Sequence, residues 1–362
     1  MHAADRMLWQ YALLGERKMA KAARLKLIQQ IEKARKSRVI AYITSTRPNL
    51  EVPMAMDAVR RIYNHLLPMA SEGKLPAIDL FLHSNGGDGI VPWRLVTLLR
   101  EHAKRFSVLV PHHAFSAATL TALGADGIVM HPMGMLGPTD PTVANPFNPP
   151  DPANPQQRIG ISVEDVTAYI ALIREDAGIQ HEDQVVQAFC QLAEKVHPLA
   201  LGNVKRSLSQ SRMMATKLLS LHMDARKEEH KISEIVDKLT SKLFYHGHPI
   251  NRDEAKEQVG LSTVEYPDSR TEGAMWRLYL EYEKEIRMAE PFSMASEFLS
   301  SFPNQQPDQA ETTKPVVAKL AFIESAIRTD VVAMTYELCG LKRRDGVTQV
   351  QMITRNQGWA TE

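Results

Sequence analysis

The chain reads IDLFLHSNGGDG over residues 78–89, and this segment gives the clearest indication of the fold. Its first six residues are mostly apolar and lead into a glycine-rich segment, so they predict a buried strand followed by a loop. A helix is predicted next, over residues 92–102. Paired glycines let backbone N–H groups approach a ligand closely, as an oxyanion or a phosphate requires. The loop is neither a P-loop nor a clear dinucleotide fingerprint, because its glycine spacing differs from both.

Strands and helices alternate on both sides of this stretch. Further strands are predicted at residues 39–43, 107–110 and 127–130, and further helices at residues 54–71 and 116–123. This alternation predicts an α/β fold with a parallel sheet and right-handed crossovers. Functional residues in such sheets gather beyond the carboxyl ends of the strands. The loops at that edge are therefore the first candidates for a functional site.

A second loop, Val110-Pro111-His112-His113-Ala114-Phe115-Ser116, follows the next strand. Ser116 lies where a helix is predicted to begin among small residues. A serine there has an exposed hydroxyl, a helix N-terminus beside it and the N–H of Ala117 as an oxyanion donor. The alternative is a serine that only caps the helix. Because the two loops follow successive strands of one sheet, we expect the Gly86-Gly87 backbone and the Ser116 hydroxyl to face each other.

Composition narrows the classes of protein. The 362 residues suggest about two domains. Lys and Arg total 43 against 42 Asp and Glu, a net charge of +1 that argues against a nucleic-acid-coating protein. The two cysteines cannot form a disulfide framework, and with no apolar run long enough for a membrane span we expect a cytoplasmic protein without a transmembrane segment.

Five regions follow from changes in composition along the chain. A basic helical arm is expected first, and a core containing a proline-rich loop or lid at 138–158 follows it. A helical extension, a polar linker and a small β element come after the core. The Asp345-Gly346 turn predicts a hairpin in that last element. The boundaries are residues 1–37, 38–266, 267–300, 301–315 and 316–362.

The motifs together resemble the serine dehydrogenase proteinase family. That family is related to signal peptide peptidase A and to the proteolytic subunit of Clp, within the crotonase-like fold. The resemblance runs roughly from residue 38 to residue 261. It implies a ClpP/crotonase-like sheet built from repeated ββα-type units with flanking helices. The segments that carry it are Ser84-Asn85-Gly86-Gly87, Ser116-Ala117-Ala118-Thr119, residues 122–130, residues 136–141 and residues 248–261.

The resemblance also implies roles for particular residues. Ser116 would be the nucleophile, and the backbone N–H groups of Gly86, Gly87 and Ala117 would form the oxyanion hole. Two departures from the family pattern bear on the efficiency of catalysis. Asn85 stands where proline is common, and alanines follow the serine where a glycine-containing pair is usual. Alanine keeps the N–H but has fewer allowed backbone conformations.

A lysine is the expected general base, because no histidine follows the serine at the Clp-like distance. Lys205 fits best, since it borders an apolar helix face where loss of hydration favours the neutral amine. The alternative is a solvated surface lysine, and Lys195 and Lys217 are the other candidates. Two further residues, His113 and Asp140, are expected to support the site.

The leading interpretation is a serine peptidase-like hydrolase with a Ser-Lys dyad acting on a peptide or protein substrate. Two alternatives stay open: an acyl-CoA or acyl-transfer enzyme on the same fold, and a non-catalytic oligomeric interaction protein. We expect no metal, no cofactor and no nucleic-acid partner. The resemblance implies a homo-oligomer, with the N-terminal arm and the helices after Val163 as interfaces, and a regulatory protein partner is an open option.

Overall fold

The computed structural model describes residues 3–139, 142–143, 145–152, 154–242 and 247–362. The helices are α1 (Ala3–Arg35), α2 (Met56–Met69), α3 (Val91–His102), α4 (Ala117–Leu123), α5 (Val163–Ala171), α6 (Glu182–Lys195), α7 (Pro198–Leu219), α8 (Glu229–Asp237), α9 (Arg252–Glu254), α10 (Ser269–Ile286) and α11 (Met294–Ser301). The strands are β1 (Arg38–Thr44), β2 (Leu75–His83), β3 (Ala103–Val110), β4 (His113–Ala114), β5 (Gly127–Met130), β6 (Met135–Leu136), β7 (Thr142–Val143), β8 (Ile161–Ser162), β9 (Val264–Glu265), β10 (Ala310–Thr312), β11 (Val316–Ser325), β12 (Arg328–Lys342) and β13 (Thr348–Thr361).

A central mixed sheet organises these elements. The order is β10-β12-β11-β1-β2-β3-β5-β9, with β13 paired to β12. Strands β1, β2, β3, β5 and β9 run parallel to one another, and the predicted helices join the first four. The α/β class with a largely parallel sheet is therefore confirmed. The carboxyl ends of β2 and β3 lie side by side in the middle of the sheet, which brings their loops together.

The C-terminal β element continues this sheet. Strand β11 pairs antiparallel with β1, from Ile40 opposite Ser325 to Thr44 opposite Ala321. The predicted hairpin is present, since residues 343–347 join β12 to β13. A second tight turn at Ala326-Ile327 joins β11 to β12 and was not expected, because it contains no Gly, Pro, Asn or Asp. The expected linker region contains a short strand of its own, β10.

Helices cover both faces of the sheet. Along β1, Ile40 and Tyr42 point into a core formed with helices α2, α3, α4, α7 and α8. The alternate residues Val39, Ala41 and Ile43 point into a second core formed with α1 and α10. This alternation follows from the two-residue period of a strand, and apolar residues on both faces make β1 a fully buried strand.

The chain from Pro198 to Asp237 forms two helices. Helix α7 ends at Leu219 and α8 begins at Glu229. Between them the Asp224 carboxylate accepts a hydrogen bond from the N–H of Arg226, a local turn that competes with the helix. No helix in the described part of the chain is long and apolar enough to cross a membrane.

A buried ion pair ties the N-terminal helix to the C-terminal strands. The Arg24 guanidinium of α1 donates to both carboxylate oxygens of Glu324 on β11, at 2.7 and 3.2 Å. The side chains are 1% and 0% exposed. Tyr282 of α10 and Thr329 of β12 also donate hydroxyl hydrogen bonds to this carboxylate, at 2.7 and 2.9 Å. Four separate segments of the chain therefore meet at one carboxylate.

We expect Arg24→Met to lower the free energy of unfolding by about 3–5 kcal/mol, because it leaves a buried carboxylate without its cation. Adding Glu324→Gln should restore part of the loss. The matched control is Arg105→Ala, which breaks a 2.8 Å ion pair with Glu265 whose side chains are 54% and 40% exposed. That control should cost less than about 1 kcal/mol. Urea unfolding followed by tryptophan fluorescence measures the free energy of unfolding of all three variants. Equal losses in Arg24→Met and Arg105→Ala would contradict the conclusion that the buried ion pair contributes more than the exposed one.

Candidate active site

The two predicted loops meet just beyond the ends of β2 and β3. The N–H of Ser84 donates to the carbonyl of His113, and the N–H of Phe115 donates to the carbonyl of Ser84, both at 3.0 Å. These bonds extend the sheet pairing past the strand ends. They hold the glycine loop beside the turn that carries Ser116.

The glycines lie in contact with their neighbours' backbones. Gly86 has φ +99°, and a Cβ there would lie 2.7 Å from both the carbonyl oxygen of Phe115 and the Cβ of Ser116. Gly87 has φ +154°, and a Cβ there would collide with the backbone of Met54. Met54 holds the loop from that side, since its N–H donates to the Gly86 carbonyl at 2.7 Å. Both positions therefore require glycine, for conformation and for space.

Ser116 occupies an unusual conformation at the turn between β4 and α4. Its φ is 52° and its ψ is −113°. It precedes the first residue of α4, yet its side chain makes no capping hydrogen bond to that helix. The alternative interpretation as a capping serine therefore fails. A non-glycine residue held at positive φ on a sharp strand-to-helix turn is typical of an exposed nucleophile.

The backbone donors around Ser116 differ in whether they are already engaged. The N–H of Gly86 donates to the Ser84 hydroxyl oxygen at 3.0 Å, and Thr44 donates its own hydroxyl to the same oxygen at 2.8 Å. Of the three expected oxyanion donors, Gly86 is thus already engaged inside the loop. Across the described residues, no acceptor lies within hydrogen-bond reach of the N–H groups of Gly87 and Ala117.

Ser116 opens onto a cavity of about 510 Å³. One wall consists of residues 87–90 and the start of α4. The opposite wall is α7, which contributes Ser207, Gln210 and Ser211. The buried Ser211 hydroxyl donates to the carbonyl of Thr139 at 2.5 Å and so fixes this wall to the loop after β6. The cavity is large enough for a segment of substrate beside Ser116.

Within the described part of the chain, no lysine lines this cavity. Lys205 is exposed, and it lies two positions before Ser207 on α7. Two residues turn a helix by about 200°, so Lys205 points roughly away from the cavity. Lys217 lies over the ring of Trp93, 5.4 Å from its centroid, and Lys195 is exposed in the last turn of α6. The geometry does not bring any of the three candidate bases to Ser116.

Of the two residues expected to support the site, the structure describes His113 but not Asp140. His113 stacks on Phe115 with ring centroids 4.7 Å apart, and its buried Nδ1 has no hydrogen-bond partner within the described residues. Burial, and secondly the neighbouring His112, lower the pKa of His113 to about 4, so the ring is neutral near pH 7. Asp140 lies outside the described residues.

A histidine cluster behind the site was not expected from the sequence. His83 is fully buried, and its Nδ1 accepts a hydrogen bond from the backbone N–H of His113 at 3.2 Å. The ring centroids of His83 and His112 lie 5.8 Å apart. His131 stacks on Trp276 of α10 at 5.0 Å. Burial lowers the pKa of each of these rings. The signal in the sequence was the position of these histidines, because each lies at or just after the carboxyl end of one of three neighbouring strands.

Comparison with known proteins identifies a family and several relatives. A family model described as ClpP-like SDH-type serine proteinase matches residues 7–200. An uncharacterised protein of Methanocaldococcus jannaschii, MJ1495, is 27% identical over 245 residues, which cover 65% of this chain and 69% of that protein. A second uncharacterised protein of the same organism, MJ0137, is 25% identical over 280 residues, which cover 75% and 82%.

The solved structures that match include two of the 1510-N membrane-bound stomatin-specific protease. A serine-to-alanine mutant has a TM-score of 0.33 at 14% identity, covering 64% of this chain and 80% of that one. A lysine-to-alanine mutant in complex with a substrate peptide has a TM-score of 0.26 at 12% identity, covering 67% and 99%.

We expect Gly87→Ala to lower the free energy of unfolding by about 1–3 kcal/mol, because the new Cβ meets the Met54 backbone and alanine is strained at this φ. Gly89→Ala is the matched control, since a Cβ at Gly89 has nothing within 4 Å. The control should stay within about 0.5 kcal/mol of the parent. Urea unfolding compares the two, and a control as damaging as Gly87→Ala would contradict the close-contact argument.

Proposed function

The chain belongs to the family of ClpP-like SDH-type serine proteinases, and we propose that it hydrolyses peptide bonds with Ser116 as the nucleophile. One observation carries the proposal. Ser116 is held at positive φ, caps no helix, and faces a cavity beside backbone donors that have no acceptor among the described residues. A serine that served only the fold would have no reason to occupy that conformation.

The chemistry follows from this arrangement. The Ser116 hydroxyl gives up its proton, its oxygen attacks the carbonyl carbon of the substrate, and the carbonyl oxygen becomes an oxyanion. When the oxyanion collapses, the C–N bond breaks, the amine leaves with a proton, and water hydrolyses the acyl-serine that remains. The N–H groups of Gly87 and Ala117 are the proposed donors to that oxyanion. Their backbones are rigid, because Gly87 lies against Met54 and Ala117 begins α4, so little reorganisation is needed as charge develops. The Gly86 N–H serves the loop through Ser84 instead.

The Ser116–Lys205 pairing stays a prediction of the family resemblance. The position of Lys205 on the outer side of α7 instead supports the expectation that Lys205 is not the base. Its amine would have to cross the helix to take the serine proton. The two views differ in a measurable way, so one variant decides between them.

Reaction with a fluorophosphonate probe tests the nucleophile. We expect labelling of the parent chain and of Ser207→Ala, and none of Ser116→Ala. Ser207 is the matched control because it lines the same cavity. On the geometry above, Lys205→Ala should be labelled within about twofold of the parent, whereas an essential general base should cost about 100-fold or more. Mass spectrometry identifies the labelled residue.

A folded parent chain that the probe does not label would contradict the proposal and favour the non-catalytic interaction protein. Labelling that disappears in Lys205→Ala would establish the dyad. In that case α7 must rotate in the reactive state. A regulatory protein partner stays a prediction in either case.

We also propose that the chain forms a homo-oligomer through α6. None of the fourteen residues of this helix is buried, and Val186 and Phe189 are 59% and 47% exposed. The helix is attached to α5, where the Tyr169 hydroxyl donates to the carbonyl of Ala188 at 3.1 Å. An amphipathic helix with an uncovered apolar side is stabilised when a second copy covers it.

Light scattering coupled to size exclusion tests this interface. We expect the parent chain to elute at a multiple of its monomer mass and Phe189→Glu to shift towards the monomer. Val347→Glu is the control, because Val347 is similarly exposed but lies in the hairpin turn between β12 and β13. A monomeric parent chain, or an equal shift in the control, would contradict the proposal.

A further inference from the structure

The cavity beside Ser116 has an uneven distribution of charge. Of the described residues that line it, Asp88 alone carries an ionisable group. The opposite wall presents hydroxyl and amide groups, from Ser207, Gln210 and Ser211. A cation placed between the two walls would have a carboxylate on one side and oxygen acceptors on the other.

Asp88 is held firmly in place. Its N–H donates to the carbonyl of Met54 at 3.0 Å, and one carboxylate oxygen, Oδ1, accepts the N–H of Ile90 at 3.0 Å. No Lys, Arg or His within the described residues forms an ion pair with it. The second carboxylate oxygen and the full negative charge are therefore available to a ligand. A fixed charge discriminates better than a mobile one, because less entropy is lost on binding.

Asp88 and Ser116 line the same cavity, so this charge affects the reaction as well as binding. Asp88 directly follows Gly87, one of the proposed oxyanion donors, so an unneutralised carboxylate there opposes the developing oxyanion. A cationic substrate group in the cavity removes that penalty. A neutral apolar group does not, and it would also bury the Gln210 and Ser207 side chains without hydrogen bonds.

We propose that this cavity binds a basic side chain, lysine or arginine, of the peptide substrate next to the bond that is cleaved. Asp88 is the residue that sets this specificity. The inference rests on the proposed function, because it concerns the substrate of the same serine. It adds the substrate class, which neither the motifs nor the family match specifies.

The test uses two peptidyl diphenyl phosphonates that differ only at the side chain beside phosphorus, one with lysine and one with norleucine. Norleucine has a similar length without the charge. We expect Ser116 in the parent chain to react with the lysine probe about tenfold faster. In Asp88→Asn the ratio should fall to about one, because asparagine keeps the turn acceptor but not the charge. Asp88→Ser is a second variant that keeps the acceptor.

The matched control is Asp345→Asn. Asp345 also sits in a loop and accepts the N–H of the residue two positions on, Val347, at 3.0 Å. It lies in the turn between β12 and β13, so the lysine preference should persist in this variant. Adding salt should reduce the preference in the parent chain, because screening weakens a partly exposed ion pair.

Two results would overturn the inference: equal rates with both probes in the parent chain, or a preference that survives in both Asp88 variants. Each is distinguishable from failure of the proposed function. The small fluorophosphonate still labels Ser116 if only the specificity is wrong. If neither that probe nor either phosphonate modifies Ser116, the nucleophile assignment fails and the specificity fails with it.

Discussion

The site depends on two backbone hydrogen bonds that carry sheet pairing past the ends of β2 and β3. They join Ser84 to His113 and Phe115. Because the chain spacing there is set by backbone pairing, the next residues approach each other so closely that only glycine fits at 86. The turn at Ser116 is then confined between that glycine and α4. The strained conformation of the serine is maintained by bonds that involve no catalytic side chain.

The sequence predicted the parts of the molecule that depend on neighbours along the chain. The alternation of strands and helices, the glycine loop and the hairpin before β13 all have local signals. The pairing of β1 with β11 has none, since the partners are far apart in sequence and both are simply apolar. The direction of Lys205 shows the same limit. Its apolar neighbours indicate that it borders the apolar face of a helix, but which side of α7 faces the cavity depends on tertiary packing.

The family match ends at residue 200, whereas the sheet and the cores on its two faces include residues beyond that point. Strands β9 to β13 and helices α8, α10 and α11 lie beyond it, and α10 closes the second core against α1. The Arg24–Glu324 pair joins the two portions by two hydrogen bonds, and Tyr282 and Thr329 donate to the same carboxylate. The segments beyond the matched region are therefore integral to the fold that supports Ser116, and α10 also packs against the histidines behind the site.

The antiparallel pairing of β1 with β11 has a consequence for how the chain reaches this structure. During synthesis, β1 emerges early and can pair with β2, but its other edge stays open until residue 325 has been made. At ribosomal speed that delay is on the order of tens of seconds. An apolar, unpaired strand exposed for so long is a site where nascent chains aggregate. The same long-range pairing is expected to make refolding slow. Much of the chain's conformational entropy is lost before β1 and β11 form the hydrogen bonds that compensate for it.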